Sequence, residues 1–332
     1  MRQSRSETET CYGDIMYAPR YTETIMKYVY GPVPSRRLGN SLGLDIIPSK
    51  TCSFNCIYCQ LGRTAMTTLR RESFFPVSDI LQDLQEALDS NVPIDFITFS
   101  GSGEPTLNQD LGQIIFTIKE MTPLPVAVIT NSSLLWREDV QNDLLGGDLL
   151  LPSLDAGSEA VFQRINRPHP DLHLEMIVKG LTVYRSRYAG RIWLEIFLVE
   201  GINTDAAEMD RIVEATKRIR PDKIQLNTAI RPPAEPSIHP LPEEKLKRFV
   251  GLFPFPTEII ADYSRPAGQH IDADVADRIL ELLKRRPCTV DGMSSSLKIH
   301  KDMLLKYLHL FREDGKISER KHGDQVYYSI NT

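Results

Sequence analysis

Cys52, Cys56 and Cys59, spaced C-x3-C-x2-C within the run TCSFNCIYC, are the residues whose type and spacing most directly imply chemistry. Three thiolates from one short loop can hold three irons of a cubane 4Fe–4S cluster. The fourth iron then has no protein ligand and is open to a small molecule. A structural zinc would instead take four protein ligands, with further Cys or His close by. The nearest later histidine is His169, and Cys11 lies well upstream. Buried cysteines without a metal have no reason to cluster behind a strand. The spacing therefore favours iron–sulfur over zinc, and either over coincidence.

The elements around this loop must hold it in place. SLGLDIIP, residues 41–48, reads as a strand running directly into the cysteines. Residues 77–90 have the apolar spacing Ile80, Leu81, Leu84 and Leu88, which predicts an amphipathic helix, with Ser78 as its cap and Asp79 in an acidic first turn. The pattern then repeats. Strands are expected at 94–100, 124–130, 149–154, 191–199 and 223–227, with helices at 109–121, 158–165, 172–188 and 205–219. Alternation at this pace implies parallel strands joined by right-handed crossovers. Nearly continuous apolar runs in the strands imply helices covering the sheet. Six such units make an open or partial barrel whose function gathers at the carboxyl ends of the strands. Pro232, Pro233, Pro236, Pro240 and Pro242 mark a long connection after the last of these. Residues 257–261 could add an edge strand.

Several polar residues fall at those strand ends. The turn FSGSGEPTLN supplies Gly101, Ser102, Gly103 and Glu104; glycine lets a backbone approach a ligand closely, and a carboxylate can accept from an ammonium group. An ordinary glycine-rich turn would read the same way. Thr130 and Asn131 end one strand, and Ser153 and Asp155 end the next. They could face one mouth and hold hydroxyl or carboxylate groups, or serve as caps and turns. Glu195 lies within the strand at 191–199, where an inward carboxylate needs a partner such as Arg167 or Arg231.

TCSFNCIYC resembles the C-x3-C-x-aromatic-C signature of the radical S-adenosylmethionine (radical SAM) superfamily, with Tyr58 at the aromatic position. Over roughly the first 230 residues, the runs GPVPSRRLGNSLGLDIIPSKTCSFNCIYCQLGR, FSGSGEPTLN, AVITNSSLLW and LPSLDAGSEAVFQRINRPHP resemble the radical SAM proteins related to tRNA wyosine synthases. Wyosine synthases carry an additional cysteine set for a second cluster, whereas only Cys11 and Cys288 are left over here.

The resemblance implies a partial (β/α)6 barrel and one 4Fe–4S cluster on Cys52, Cys56 and Cys59, with S-adenosylmethionine at the open iron. It places Tyr58 against the adenine, and Gly101, Ser102, Gly103 and Glu104 beside the methionine amino group. The inserted Ser102 departs from the commoner G-G-E form. Asn131, Ser153 and Asn203 carry over as further cofactor contacts at strand ends, and INRPHP, with Arg167 and His169, as either a substrate wall or a structural turn. A reductant such as flavodoxin or ferredoxin would supply the electron, and a 5′-deoxyadenosyl radical would attack the substrate. That substrate could be a tRNA, a peptide or protein, or a small molecule.

The chain of 332 residues divides by texture into a tail (1–25), the barrel (26–262), a linker (263–271) and a C-terminal unit (272–332). That unit reads as three helices and a two-stranded wing, resembling a winged helix-turn-helix domain. Such a unit could contact nucleic acid, bind a peptide or protein substrate, or cap the barrel. Its 11 basic and 10 acidic residues leave a weak electrostatic footprint for nucleic acid. Lys298, Lys301, Lys306, Arg320 and Lys321 could still share one basic face. The whole chain, at net charge −5, is not built mainly to bind phosphate backbones. A polar N-terminus without an apolar signal core, and no run long enough to span a bilayer, lead to the expectation of a cytoplasmic protein without membrane contact. Two other classes fit parts of the pattern: an iron–sulfur sensor that reads DNA without turnover, and a zinc-stabilised scaffold.

Overall fold

One sheet of eight strands, in the order β1-β2-β3-β4-β5-β6-β7-β8, carries the fold. The computed structural model describes residues 27–261, apart from 91, 231, 232 and 236, and residues 273–331, apart from 298, 300, 323 and 324. The expected tail and linker lie outside the described residues. β2 (Gly39–Leu44), β3 (Phe96–Phe99), β4 (Val126–Thr130), β5 (Leu149–Pro152), β6 (Arg191–Phe197) and β7 (Lys223–Asn227) are the six expected parallel strands. β8 (Thr257–Ile259) is the expected edge strand, parallel to β7. The sheet stays open, with β1 and β8 as its two edges.

β1 (Val29–Ser35) has no counterpart in the sequence reading, and it pairs antiparallel with β2. Its VYGPVPS sequence reads as turn because Gly and the two prolines break the alternation. An edge strand tolerates proline, since one side of its backbone needs no ladder partner.

Helices cover the outer face: α1 (Val77–Asp89), α2 (Leu111–Met121), α3 (Glu138–Leu144), α4 (Glu159–Ile165), α5 (Leu174–Arg187), α6 (Ala206–Ile219) and α7 (Glu243–Val250). The residues Leu42, Leu44, Ile97, Phe99, Val126, Val128, Leu150, Ile192 and Leu194 meet α1 to α6 in one buried core, and α7 packs in a second with Ile196, Ile224 and Leu226. The opposite face differs along the sheet. It is apolar at Ala127, Leu149 and Leu151, which pack with Leu38. Towards one edge it is polar, with Ser41 hydrogen-bonded to Thr98 at 2.7 Å. Towards the other it carries Glu195 and the fully buried Gln225. The expected cap of α1 moves: Pro76 holds the N-cap position without a side-chain bond. Ser78 sits inside the first turn, its hydroxyl bonded to Asp79 at 3.0 Å.

The C-terminal segment has the expected order: α8 (Ala273–Arg285), α9 (Val290–Leu297), α10 (Lys301–Glu313), then the antiparallel pair β9 (Ile317–His322) and β10 (Gln325–Ile330). It has its own core around Ile279, Leu283, Met293, Leu304, Leu308 and Phe311. Of the five residues expected on one basic face, the side chains of Lys301, Arg320 and Lys321 are described. Lys301 pairs with Asp291, Lys298 lies outside the described residues, and Arg320 and Lys321 are exposed on β9. Among the described residues, no helix is long and apolar enough to cross a membrane.

Candidate functional site

The cysteine loop leaves the end of β2 and is gripped on two sides. On one side it takes the segment after α4. Asn55 and Ile57 donate backbone N–H to the carbonyls of Asn166 and Ile165, each at 3.0 Å, and His169 N–H donates to Ser53 at 2.9 Å. Phe54 pairs with Pro168 and packs edge-on against Phe162. INRPHP thus forms a strand-like clip for the loop. On the other side lies the glycine turn after β3. Lys50 N–H donates to the Ser102 carbonyl at 2.8 Å, and Glu104 N–H donates to the Thr51 carbonyl at 3.0 Å.

Each sulfur receives an N–H donor. Phe54 N–H and Asn131 Nδ2 approach Cys52 Sγ, both at 3.5 Å. Asn166 Nδ2 approaches Cys56 Sγ at 3.5 Å. Lys50 Nζ lies 3.9 Å from Cys59 Sγ. Burial, with Glu104 nearby, pushes the Cys52 thiol up to about 12, and burial raises Cys56 well above its ordinary range. Such thiols stay protonated until a metal takes the proton's place, so loading releases protons. Burial also lowers the Lys50 ammonium, against the pull of the cysteines.

The glycine turn is fixed from below. Asp45 accepts from the Ser102 N–H at 3.1 Å and from its hydroxyl at 2.6 Å. Gly101 has φ 153°, and a β-carbon there would collide with Asp45. Glu104 caps a single 3-10 turn, Pro105–Leu107. The carboxylate accepts from Thr106 N–H and Oγ1 at 3.1 and 2.6 Å, Thr130 Oγ1 at 2.7 Å and Asn131 N–H at 2.7 Å. It is 2% exposed. Glu104 thereby welds the turn to the end of β4.

Tyr58 stacks on Phe197 with ring centroids 3.9 Å apart and gives its hydroxyl to Asp155. Asp155 also accepts from Asn166 Nδ2 at 2.7 Å and Phe197 N–H at 2.9 Å. Burial raises this carboxyl to about 6. Asn131 reaches Ser53 Oγ at 2.9 Å, and Ser153 is half-buried beside it, its carbonyl accepting from Ser132 Oγ at 2.8 Å. A small pocket behind the loop is lined by Phe54, Asn131, Ser153, Asp155, Phe162 and Asn166, among others. Asn203 is not part of this wall. It is fully buried, accepting from Val199 N–H at 2.7 Å and donating to the carbonyls of Asp155 and Phe197. It holds two strand ends together, and no group of its side chain remains for a cofactor.

Glu195 does face inward, but its partner is Arg37, from the β1–β2 hairpin, with Asn227 Nδ2 at 2.9 Å. Arg167 pairs instead with Glu235 at 2.7 Å, which also takes Arg63 at 2.7 Å. Arg231 lies outside the described residues. Sequence reasoning missed Lys50, Asn166, Asp45 and Arg37, because a single polar residue carries no spacing signal. Each had only its place in a run that carries the resemblance: Arg37, Asp45 and Lys50 ahead of Cys52, and Asn166 in INRPHP.

The donor set decides what the loop can hold. Among the described residues, no three Cys, His, Asp or Glu side chains converge as a single ion would need. A cubane asks for something different: one thiolate per iron, with N–H donors on the sulfurs. Cys52, Cys56 and Cys59 are free thiols with those donors in place, so the residues fit the cluster. Cys288 is buried among the C-terminal helices.

Residues 46–213 match the family described as the Radical SAM superfamily. A UPF0026 protein from Methanocaldococcus jannaschii is 40% identical over 230 residues, 69% of this chain and 71% of that protein. A Brachyspira hyodysenteriae protein named GTPase Obg is 39% identical over 308 residues, 92% of this chain. The chain spans only 45% of that relative's length. The GTPase name is that protein's own. Among solved structures, SuiB from Streptococcus suis superposes with a TM-score of 0.50 over 66% of this chain and 49% of that one. At 13% identity the likeness is one of fold.

Proposed function

The chain belongs to the radical SAM superfamily, and from that membership we propose that it cleaves S-adenosylmethionine reductively to take a hydrogen atom from a substrate. It is an enzyme, and its cofactors are those of the superfamily, a 4Fe–4S cluster and S-adenosylmethionine. When bound, this pair supplies the electron and the C5′–S bond whose rupture yields methionine and a 5′-deoxyadenosyl radical.

The observation that carries the reading is the loop itself: three free thiols, clipped between Ile165–His169 and the glycine turn, with an N–H donor at each sulfur. In this reading Cys52, Cys56 and Cys59 hold the cluster. The backbone of Gly101, Ser102 and Gly103 receives the methionine end, which Glu104 and Asp45 position from behind. Tyr58 lies against the adenine, oriented by Asp155. Asn131 and Ser153 line the small pocket beside them. The Tyr58–Phe197 stack keeps water from that side. A low-potential flavodoxin or ferredoxin delivers the electron. The C-terminal helices and hairpin, read as a winged-helix unit, engage a tRNA or a peptide or protein substrate.

The test is anaerobic reconstitution with iron and sulfide, followed by dithionite and S-adenosylmethionine, with 5′-deoxyadenosine as the readout. Product is expected from the native protein and from Cys288→Ala, and none from Cys52→Ala, Cys56→Ala or Cys59→Ala. Product from Cys52→Ala would overturn the assignment.

A further inference from the structure

Lys50, the donor at Cys59 Sγ, is placed with particular specificity. It follows β2 and stands two residues before Cys52, with a left-handed backbone at φ 66°. That conformation is unusual for a residue with a β-carbon. It is held by the N–H bond to the Ser102 carbonyl at 2.8 Å. The side chain runs back across the loop to the Gly62 carbonyl. That carbonyl is presented by a turn closed by Gly62 N–H on Cys59 at 3.1 Å. Tethered there, the ammonium lies 3.9 Å from Cys59 Sγ. Among the described residues, the donors to Cys52 and Cys56 are neutral: a backbone amide and two asparagine amides. Among the described residues Lys50 forms no ion pair with a carboxylate, and its ammonium faces the Cys59 sulfur.

From this geometry we infer that Lys50 is a positioning residue for charge, holding a cation against Cys59 to raise the reduction potential of the cluster. The inference rests on the functional reading above. One electron from a low-potential donor lowers the cluster charge by one unit, with no bond made or broken. A fixed positive charge at a half-buried sulfur stabilises that added negative charge more than the oxidised state. Hydrogen bonds to the sulfurs and local net charge are the protein's levers on cluster potential. Cys59 has both from one side chain.

The experiment uses the full chain, reconstituted anaerobically as native protein, Lys50→Met, Lys50→Gln and Lys50→Arg. Iron and sulfide are counted, and the cluster is titrated redox-potentiometrically by electron paramagnetic resonance without S-adenosylmethionine. Lys50→Gln keeps a donor for Gly62 and Cys59 but removes the charge. The expected result is a full cluster in each variant. Lys50→Met and Lys50→Gln should be at least tenfold harder to reduce, about 59 mV lower for one electron, with Lys50→Arg close to native. Unchanged potentials in Lys50→Met and Lys50→Gln would overturn the inference. So would loss of iron from both with retention in Lys50→Arg, which would make Lys50 an assembly residue. Failure of the native protein to hold a cluster would sink the functional reading instead.

Discussion

Gly103 lies so close to Thr51 that a β-carbon at position 103 would sit 2.0 Å from the Thr51 carbonyl oxygen and 2.6 Å from the Ile47 side chain. The glycine turn and the cysteine loop are therefore one packed unit, one residue before Cys52. Backbone cannot yield as a flexible side chain can. Gly103→Ala should push the loop out of register and reduce iron bound after reconstitution to a small fraction of native. Far-ultraviolet circular dichroism should stay native, since the barrel core lies elsewhere. Normal iron loading would show that the two segments move independently.

Glu104 gives a second, separable prediction. All four of its contacts are donors aimed at a carboxylate. Glu104→Gln presents an amide N–H₂ to at least one of them, leaving buried polar groups unpaired. Such a mismatch costs about 1–3 kcal/mol, measurable in urea unfolding of the apoprotein. A direct ligand role alone would leave apoprotein stability untouched.

The unit built by these contacts was only half legible in the sequence. The parallel strands were readable because Leu42, Leu44, Ile97, Phe99 and their neighbours face helices, and the cysteines because their spacing is short. β1 was hidden by Pro32 and Pro34, which are compatible with an edge strand but write a turn signal. Glu104 and Asn203 were read by position at strand ends, which says nothing of whether a side chain is already occupied. Arg37 was illegible as the partner of Glu195, since 158 residues separate them. Pairing across a barrel is set by strand order, not by distance along the chain.

Arg71 illustrates the same limit and carries its own prediction. It is 8% exposed, donating to the Thr106 and Asn108 carbonyls at 2.9 Å each and pairing with Asp139 and Asp143. It ties the segment after the cysteine loop to the 3-10 turn of Glu104 and to α3. Arg71→Met strands the half-buried Asp143, whose carboxyl burial already raises while Arg71 opposes. Removing one partner of a buried pair costs about 3–5 kcal/mol, and the partial exposure of Asp143 points to the lower end. Arg71→Lys should not restore the loss, because a single ammonium cannot match a planar fork with four acceptors. Thermal denaturation of the apoprotein checks both.

Asp155 sets the pH dependence of the site. Burial raises its carboxyl from the ordinary range to about 6, against the bonds from Tyr58, Asn166 and Phe197. A raised acid binds its proton more tightly in the folded state than in the unfolded one. Between about pH 4 and pH 6 the native protein therefore carries the extra proton, and stability from this group falls as pH rises. Above pH 6 both states are ionised and the contribution is flat. Other carboxyls titrate nearby, so the clean quantity is the difference in unfolding free energy between native apoprotein and Asp155→Asn. That difference should shift against the native protein by about 2–3 kcal/mol from pH 4 to pH 7, as two units of pKa require. A difference constant over that range would mean that Asp155 titrates as an ordinary carboxyl, and its hold on Tyr58 would then be that of a permanently charged acceptor.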